Sequence, residues 1–445
     1  MIHPHRRARL RSARSAVPVC LGAALLTVLP SLGRADTLSL SDAVKTGLEN
    51  NFAIRIARNN VRKADNTRLQ KAGALLPTAS ASASATTTNT EYETTRGGTP
   101  GLSPDGTVTT WSAGANLNWT LFDGFRMFYA LEQVEQQARL AEVRGRHEIE
   151  SAVVEMITAY YNLQSARSLL EAAREQLDVS RRRLQRGRAR HEYGRVGSRE
   201  LLRLEVLRDT DSSAVSAREL DVTRALHGLN TALGRRPDEP IAVEPDTSVA
   251  PPEHDAAWWY ESAKKHNAGL SIARIQVNIA ESRRAIANAA FWPVLAANGS
   301  LSQTWGDNEY LRKSVGLNLS VPLFNGFRTV TSARNAVLDH ENAELSHEQE
   351  QRRLRALIYE QWAVLDNAYR RVFFERDAAE LARESLALSE EQFRLGSVSE
   401  VEFRESQLAV TNARVRLESA LFRCKVASRQ LQQLGGVLKL DGGAL

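Results

Sequence analysis

Two spacings of apolar residues divide this chain. Over 111–122, Trp111, Ala113, Ala115, Leu117, Trp119 and Leu121 alternate with Ser112, Gly114, Asn116, Asn118 and Thr120. Over 314–321, Val315, Leu317, Leu319 and Val321 alternate with Ser314, Gly316, Asn318 and Ser320. Stretches beginning at Pro77 and Pro293 alternate too, with smaller residues. A period of two predicts strands. Elsewhere the steps are three and four: Ile149, Val153, Met156, Tyr160 and Leu163, then Val222, Leu226, Leu229 and Leu233, then Ile358, Trp362 and Leu365. Such narrow seams predict long helices packed as in coiled coils, with wet flanks, rather than helices buried in a thick core.

The whole pattern is written twice. "NFAIRIAR" (51–58) resembles "NAGLSIAR" (267–274), and Pro77 and Pro293 keep the same offset of 216. "LFDGFR" (121–126) and "LFNGFR" (323–328) are offset by 202, as are Gly194 and Gly396, and Glu200 and Glu402. The difference falls in a segment rich in Thr, Gly and Pro, 86–110, which predicts a long exposed loop. A second segment, 234–255, is dense in proline and acid and predicts a linker. The expected organisation is a first repeat over 36–233, the linker 234–255, a second repeat over 256–436 and a short tail, 437–445. At the two hexapeptides, Asp123 and Asn325 are expected to cap the helices that follow, and Gly124 and Gly326 to allow the change of direction.

About ten residues of clean alternation suit a membrane-spanning strand, and equally a half-buried hairpin on a soluble sheet. Two features favour the membrane. The polar faces are small and uncharged, and Trp111 and Trp119 sit near the strand ends, where interfacial aromatics belong. Four strands cannot enclose a lumen, and an open edge in lipid leaves each backbone group unpaired at a cost of several kcal/mol. Three copies would give twelve strands, an even number within the known range. The helices suit the wall of a water-filled duct, or a plain soluble coiled coil.

Charge and composition trim the alternatives. Residues 1–35 join a run of arginines to an apolar stretch and end with the small residues Gly33 and Ala35, as a secretory signal does. Removing them takes away six Arg and leaves 52 basic against 52 acidic residues, so the formal charge of +6 makes no case for nucleic acid. Cys20 falls inside that segment in a poor context for lipidation, which leaves Cys424 without a disulfide partner. Beyond residue 35 no run of eighteen apolar residues predicts a membrane helix. His-Glu pairs at 147, 191 and 347 lack the second His of a zinc helix, and no phosphate-binding Gly-Lys-Ser/Thr loop occurs. No enzyme, metal or cofactor is expected.

Taken together, several segments resemble the TolC-like family of outer-membrane efflux and secretion ducts. They are the opening "LSLSDAVKTGLENN", the strand entries "LLPTASASAS" and "FWPVLAANGS", both hexapeptides, and "TAYYNLQSARSLL". "YGRVGSRELLRLE" and "FRLGSVSEVEFRESQ" complete the set, with Gly194, Gly197, Glu200, Gly396, Ser399 and Glu402 as the hairpin-turn motif. The similarity covers about 38–435. It implies a mixed α+β membrane protein: a homotrimer with four strands per chain in a twelve-stranded outer-membrane barrel, continued by a coiled-coil α-barrel in the periplasm. The implied partners are outer-membrane lipid, a periplasmic adaptor and an inner-membrane ABC or RND-type transporter. Type I protein secretion is the first cargo reading, with multidrug or metal efflux driven by a proton-coupled pump as the alternative. A soluble periplasmic scaffold is the remote one.

By the same resemblance the duct closes at the tips of its helical hairpins. Those tips are expected near Leu163–Leu170 and Leu365–Val372. Arg167, Ser168, Asp366, Tyr369, Arg370 and Arg371 are the expected gate set. The six arginines of 181–190 are further expected to face Glu384, Glu390 and Glu391 of the equivalent segment between hairpins.

Overall fold

The computed structural model describes residues 37–90, 106–306, 309–440 and 443–444. The expected signal segment and the middle of the Thr-rich loop lie outside the described residues. In chain order the elements are β1 (Thr37–Leu38), α1 (Leu40–Asn50), α2 (Phe52–Gly73), β2 (Thr78–Thr90), β3 (Gly106–Phe122), α3 (Arg126–Glu192), α4 (Ser198–Ala232) and β4 (Ala242–Val243). The second half gives α5 (Ala256–His266), α6 (Ala268–Ala289), β5 (Val294–Trp305), β6 (Tyr310–Ser320), α7 (Arg328–Leu395), α8 (Glu400–Leu434), β7 (Lys439–Leu440) and β8 (Gly443–Ala444).

Strands β2, β3, β5 and β6 form one antiparallel sheet in that order, with β2 and β6 at its open edges. Both flanks of the predicted loop turn out to be paired strand: Thr86 faces Thr110 and Thr90 faces Gly106. Threonine is β-branched and favours a pleated surface, and the Thr87 and Thr109 hydroxyls bond across it at 3.1 Å. The register stacks the apolar positions on one face: Ala85 beside Trp111 and Trp305, Leu117 beside Ala79 and Gly299, and Ala297 beside Leu317. Ser and Asn fill the other, where Ser84 bonds Ser112 at 2.8 Å and Ser300 bonds Ser314 at 2.7 Å. Much of the apolar face is bare; Val315 is 93% exposed.

The duplication extends to single hydrogen bonds. Asn51 caps α2 through Ile54 N–H and donates to the Ala232 carbonyl at 2.7 Å. Asn267 caps α6 through Leu270 N–H and donates to the Leu434 carbonyl at 2.9 Å. Each asparagine thus ties the start of one helix to the end of another in its own repeat.

The hexapeptides are the joints between sheet and helix. Gly124 (φ 70°) and Phe125 (φ 65°) are both left-handed, as are Gly326 (φ 66°) and Phe327 (φ 64°). A phenylalanine held there costs about 1–2 kcal/mol. Each is pinned by the preceding aromatic: Phe122 and Phe125 meet edge to face at 5.4 Å, and Phe324 and Phe327 at 5.5 Å. The Asp123 carboxylate accepts Met127 N–H at 3.1 Å, and the Asn325 amide oxygen accepts Thr329 N–H at 3.3 Å. At Gly124 a Cβ would meet Trp292 at 2.5 Å and the Ala289 carbonyl at 2.7 Å, so the end of α6 packs directly on the first joint.

From these joints run helices of 67 and 68 residues, about 100 Å each. Each folds back on a 35-residue partner, α3 on α4 and α7 on α8. Near the turns the lateral order is α4–α3–α8–α7; near the sheet it is α2–α3–α6–α7. The core among the described residues is thin: two main clusters, and a small third one of Leu170, Leu177 and Val215 along the first hairpin. Val153, Met156, Tyr160 and Leu163 of α3 meet Leu229 of α4 and Leu233 just beyond its end. Ile358, Leu365 and Val372 of α7 meet Leu421, Cys424 and Leu431 of α8. Cys424 is a buried packing group, and burial pushes its thiol pKa up, away from reactivity.

Candidate functional site

The expected tip positions need correcting. Helices α3 and α7 run unbroken through 163–170 and 365–372. The chain reverses at Tyr193–Gly197 and Gly396–Ser399, about 37 Å further along each helix. Residues around 160–168 hold the linker instead. The Tyr160 hydroxyl donates to the Leu38 carbonyl at 2.9 Å, Gln164 donates to the Asp246 carbonyl at 2.7 Å, and Arg167 donates to the Ile241 carbonyl. Lys425 of α8 closes the clasp with an ion pair to Asp246 at 2.6 Å. The Ser168 hydroxyl donates to Glu418 of α8 at 2.7 Å. On α7, Asp366 pairs with Arg370, Arg371 lies 3.8 Å from Glu375, and Tyr369 meets Phe373 edge to face. The structure brings Arg167 and Ser168 against the linker and α8, and leaves the α7 four paired along their own helix.

The turns are built by the glycine motif. Gly194 (φ 68°) ends α3, with Arg195 N–H reaching back to the Arg190 carbonyl at 2.9 Å. Gly396 (φ 78°) ends α7, with Ser397 N–H on the Gln392 carbonyl at 2.8 Å. Both are six-to-one closures that favour a left-handed glycine. Gly197 and Ser399 then start the returning helices. Ser399 and Glu402 form a reciprocal capping box, Glu402 accepting Ser399 N–H at 2.7 Å. That bond holds the Glu402 carboxyl below its ordinary pKa.

Between the turns and the clasp, the two hairpins are joined by a buried polar cluster. Arg183 of α3 pairs with Glu400 at 2.8 Å, donates to Gln407 at 3.1 Å, and lies over Phe403, which stacks on Phe393 at 5.0 Å. Arg404 of α8 grips Asp211 of α4 with two bonds, 2.8 and 3.3 Å, and Ser180 and Gln176 donate to the same carboxylate. So the basic stretch does meet an acid across the hairpins, but on α8 rather than α7. Glu391 pairs with Arg394 on its own helix at 3.1 Å.

The family model for outer membrane efflux proteins matches residues 43–235 and 259–437. The chain belongs to that family. The outer membrane efflux protein BepC of Brucella suis is 23% identical over 433 residues, spanning 96% of this chain and 90% of that protein. Protein CyaE of Bordetella pertussis is 25% identical over 307 residues, 67% of this chain and 63% of that protein. The Campylobacter jejuni CmeC outer membrane channel superposes with a TM-score of 0.77 at 15% identity, over 89% of this chain and 85% of that one. This outer membrane efflux protein is therefore a channel of the outer membrane, from a family that works with periplasmic adaptors and inner-membrane pumps, and not an enzyme.

In this channel the polar cluster carries a pH dependence. Burial first, and the Glu200 carboxyl against it second, raise the Glu400 pKa; Arg183 opposes them. Glu200 Oε1 is itself buried without a protein donor. A carboxyl with a raised folded pKa contributes stability that is complete below its unfolded value and lost as pH climbs through the folded one. Arg203, Arg186 and Arg404 also act on this cluster. The expected result is that wild type loses thermal stability relative to Glu400→Gln as pH rises above the ordinary glutamate value of about 4.3. Parallel melting curves across that window would contradict it.

Proposed function

We propose that three copies close a twelve-stranded barrel in the outer membrane, continued into the periplasm by an α-barrel that conducts substrate delivered by an adaptor and an inner-membrane transporter. One observation carries this reading. The sheet has one bare apolar face, one small polar face and two unpaired edges, and both 100 Å helices leave it at the same end. Trp111 and Trp119 on the apolar face are about 27 Å apart along β3, close to the height of a barrel's apolar band. The Trp119 indole donates to the Leu75 carbonyl at 3.1 Å, on the side of the sheet where the helices begin. In this reading the duct narrows at the turns around Gly194 and Gly396, farthest from the sheet. Arg167, Ser168, Asp366, Tyr369, Arg370 and Arg371 then lie along the wall above that constriction.

Two cargo readings remain distinct. The absence of a lipidation context around Cys20 supports the protein-secretion reading. Full-length similarity to BepC, named as an efflux protein, supports the small-molecule reading. Purified protein in planar bilayers is expected to give discrete conductance steps from trimers. Recovery of the chain in the soluble periplasm after detergent-free fractionation would end the duct reading and leave the scaffold. Deleting the gene separates the cargoes: loss of an exported protein marks secretion, and sensitisation to drugs or metals marks efflux.

A further inference from the structure

Among the described residues, the four strands carry two charged side chains, Arg312 and Lys313 on β6, and no carboxylate. Alternation sends the two to opposite faces. Lys313 pairs with Leu301 on the apolar face. Arg312 pairs with Ser302, Ser302 with Gly114 and Gly114 with Ser82, a row of the small polar face. The next rows on that face hold Ser300 and Ser314 on one side, and Ser112 and Thr304 on the other. Arg312 is thus the one described charge on a face built chiefly of hydroxyls, amides and glycine.

The Arg312 side chain is exposed, and its guanidinium lies over the Tyr310 ring, 5.6 Å from the centroid. Stacking occupies one flat face of the guanidinium and leaves its edge N–H groups for water or an anion. Glu309, the nearest described acid along the strand, falls on the opposite phase. Ser302, opposite Arg312, lies three residue pairs, about 10 Å, inward from the facing Trp111 and Trp305. That depth is inside the barrel wall, toward the hairpin end and away from the end where both long helices leave.

We propose that Arg312 sets the charge preference of the duct's exit: three copies ring the barrel lumen and favour anionic over cationic solutes. The inference rests on the trimeric duct proposed above. Twelve strands about 4.8 Å apart and tilted about 40° enclose a backbone radius of about 12 Å. The guanidinium reaches inward from that wall, so the axis lies within about one Debye length of each charge, ~10 Å at 0.1 M salt. The described lining around it is uncharged, so no carboxylate on the strands offsets the ring. Rings of arginine suit anion pores as rings of acid suit cation pores.

The test measures reversal potentials of the full-length protein in planar bilayers across a KCl gradient. Wild type is compared with Arg312→Lys, Arg312→Gln and Arg312→Glu, all of which share the charges of the distant constriction. At about 0.1 M salt, the chloride-to-potassium permeability ratio is expected to fall about twofold in Arg312→Gln, to fall further in Arg312→Glu and to hold in Arg312→Lys. At about 1 M salt, where the Debye length is about 3 Å, the variants are expected to converge. Arg312→Cys keeps the test open where a glutamate variant fails to assemble. In the inserted cysteine channel a cationic thiol reagent is expected to raise the ratio and an anionic one to lower it, while Cys424 stays buried. Equal ratios across the charge series, or the same change from cationic and anionic reagents, overturn the ring. Absence of conductance from wild type overturns the duct reading instead, and the ring with it.

Discussion

Asp211→Ala is expected to destabilise the channel by about 3–5 kcal/mol. The carboxylate is 9% exposed and its Arg404 partner 11%. Deleting the acid leaves a guanidinium buried between α4 and α8, and it strands the Ser180 hydroxyl and the Gln176 amide that also bond Asp211. The penalty is that of an uncompensated buried charge, not the worth of the pair itself. The double replacement Asp211→Leu with Arg404→Met is therefore expected to recover most of the loss, since it removes both charges and keeps apolar volume. The readout is the urea midpoint of purified protein, followed by helical signal. A single variant within about 1 kcal/mol of wild type would mean that water reaches the site and that the pair behaves like a surface bridge. The position gives the pair its interest. It ties the first hairpin to the second between the linker clasp and the turns, so the four helices of one chain move there as a unit.

That coupling was hidden from the sequence for a definable reason. The arginine run of 181–190 is legible as composition, but Arg183 finds Glu400 across a separation of 217 residues, which no local period reports. The same blindness misplaced the tips. The seam Ile149–Leu163 fades toward 170, yet α3 continues, because its next buried positions are Ala172, Leu177, Ser180, Arg183, Leu184 and Gly187. Most of these are small or charged residues, invisible to a hydrophobic period although they pack a helix well. The glycine motif, by contrast, was legible and lies at the reversals, since only a left-handed residue closes α3 and α7 there. The sheet was readable because apolar and small polar residues alternate cleanly over 111–122 and 314–321, and with smaller residues along β2 and β5. Its extension into the Thr-rich segment was not, because threonine serves loops and edge strands alike. The left-handed Phe125 and Phe327 had no signal beyond the hexapeptide's own recurrence; their partners Phe122 and Phe324 explain it afterwards.

Leu381→Glu combined with Leu388→Glu is expected to abolish the proposed trimer while leaving each chain folded. Helix α7 has two seams. Leu365, Val372 and Ala379 are buried in the second repeat, with α8 as the neighbouring helix. Phe374, Leu381, Leu388 and Leu395 recur every seven residues on the other side, each 65–71% exposed. A heptad stripe that persists for three intervals is a packing seam awaiting a helix. Within one chain α7 is the edge of the helical row near the turns, and the opposite edge, α4, exposes Leu202, Val206 and Leu220. Around a closed ring those two edges meet, α7 of one copy against α4 of the next. Burying a leucine is worth about 1.5–3 kcal/mol, so two buried glutamates at each of three seams outweigh what the remaining contacts supply. The variant should elute as a monomer in mild detergent with wild-type helical content, and bilayer conductance should vanish with the trimer. Glu384→Gln, off the stripe on the same helix, should change neither. A double variant that still forms conducting trimers would show that the α7 stripe faces solvent or another protein, and that the ring closes through the sheet edges and the α2 side alone.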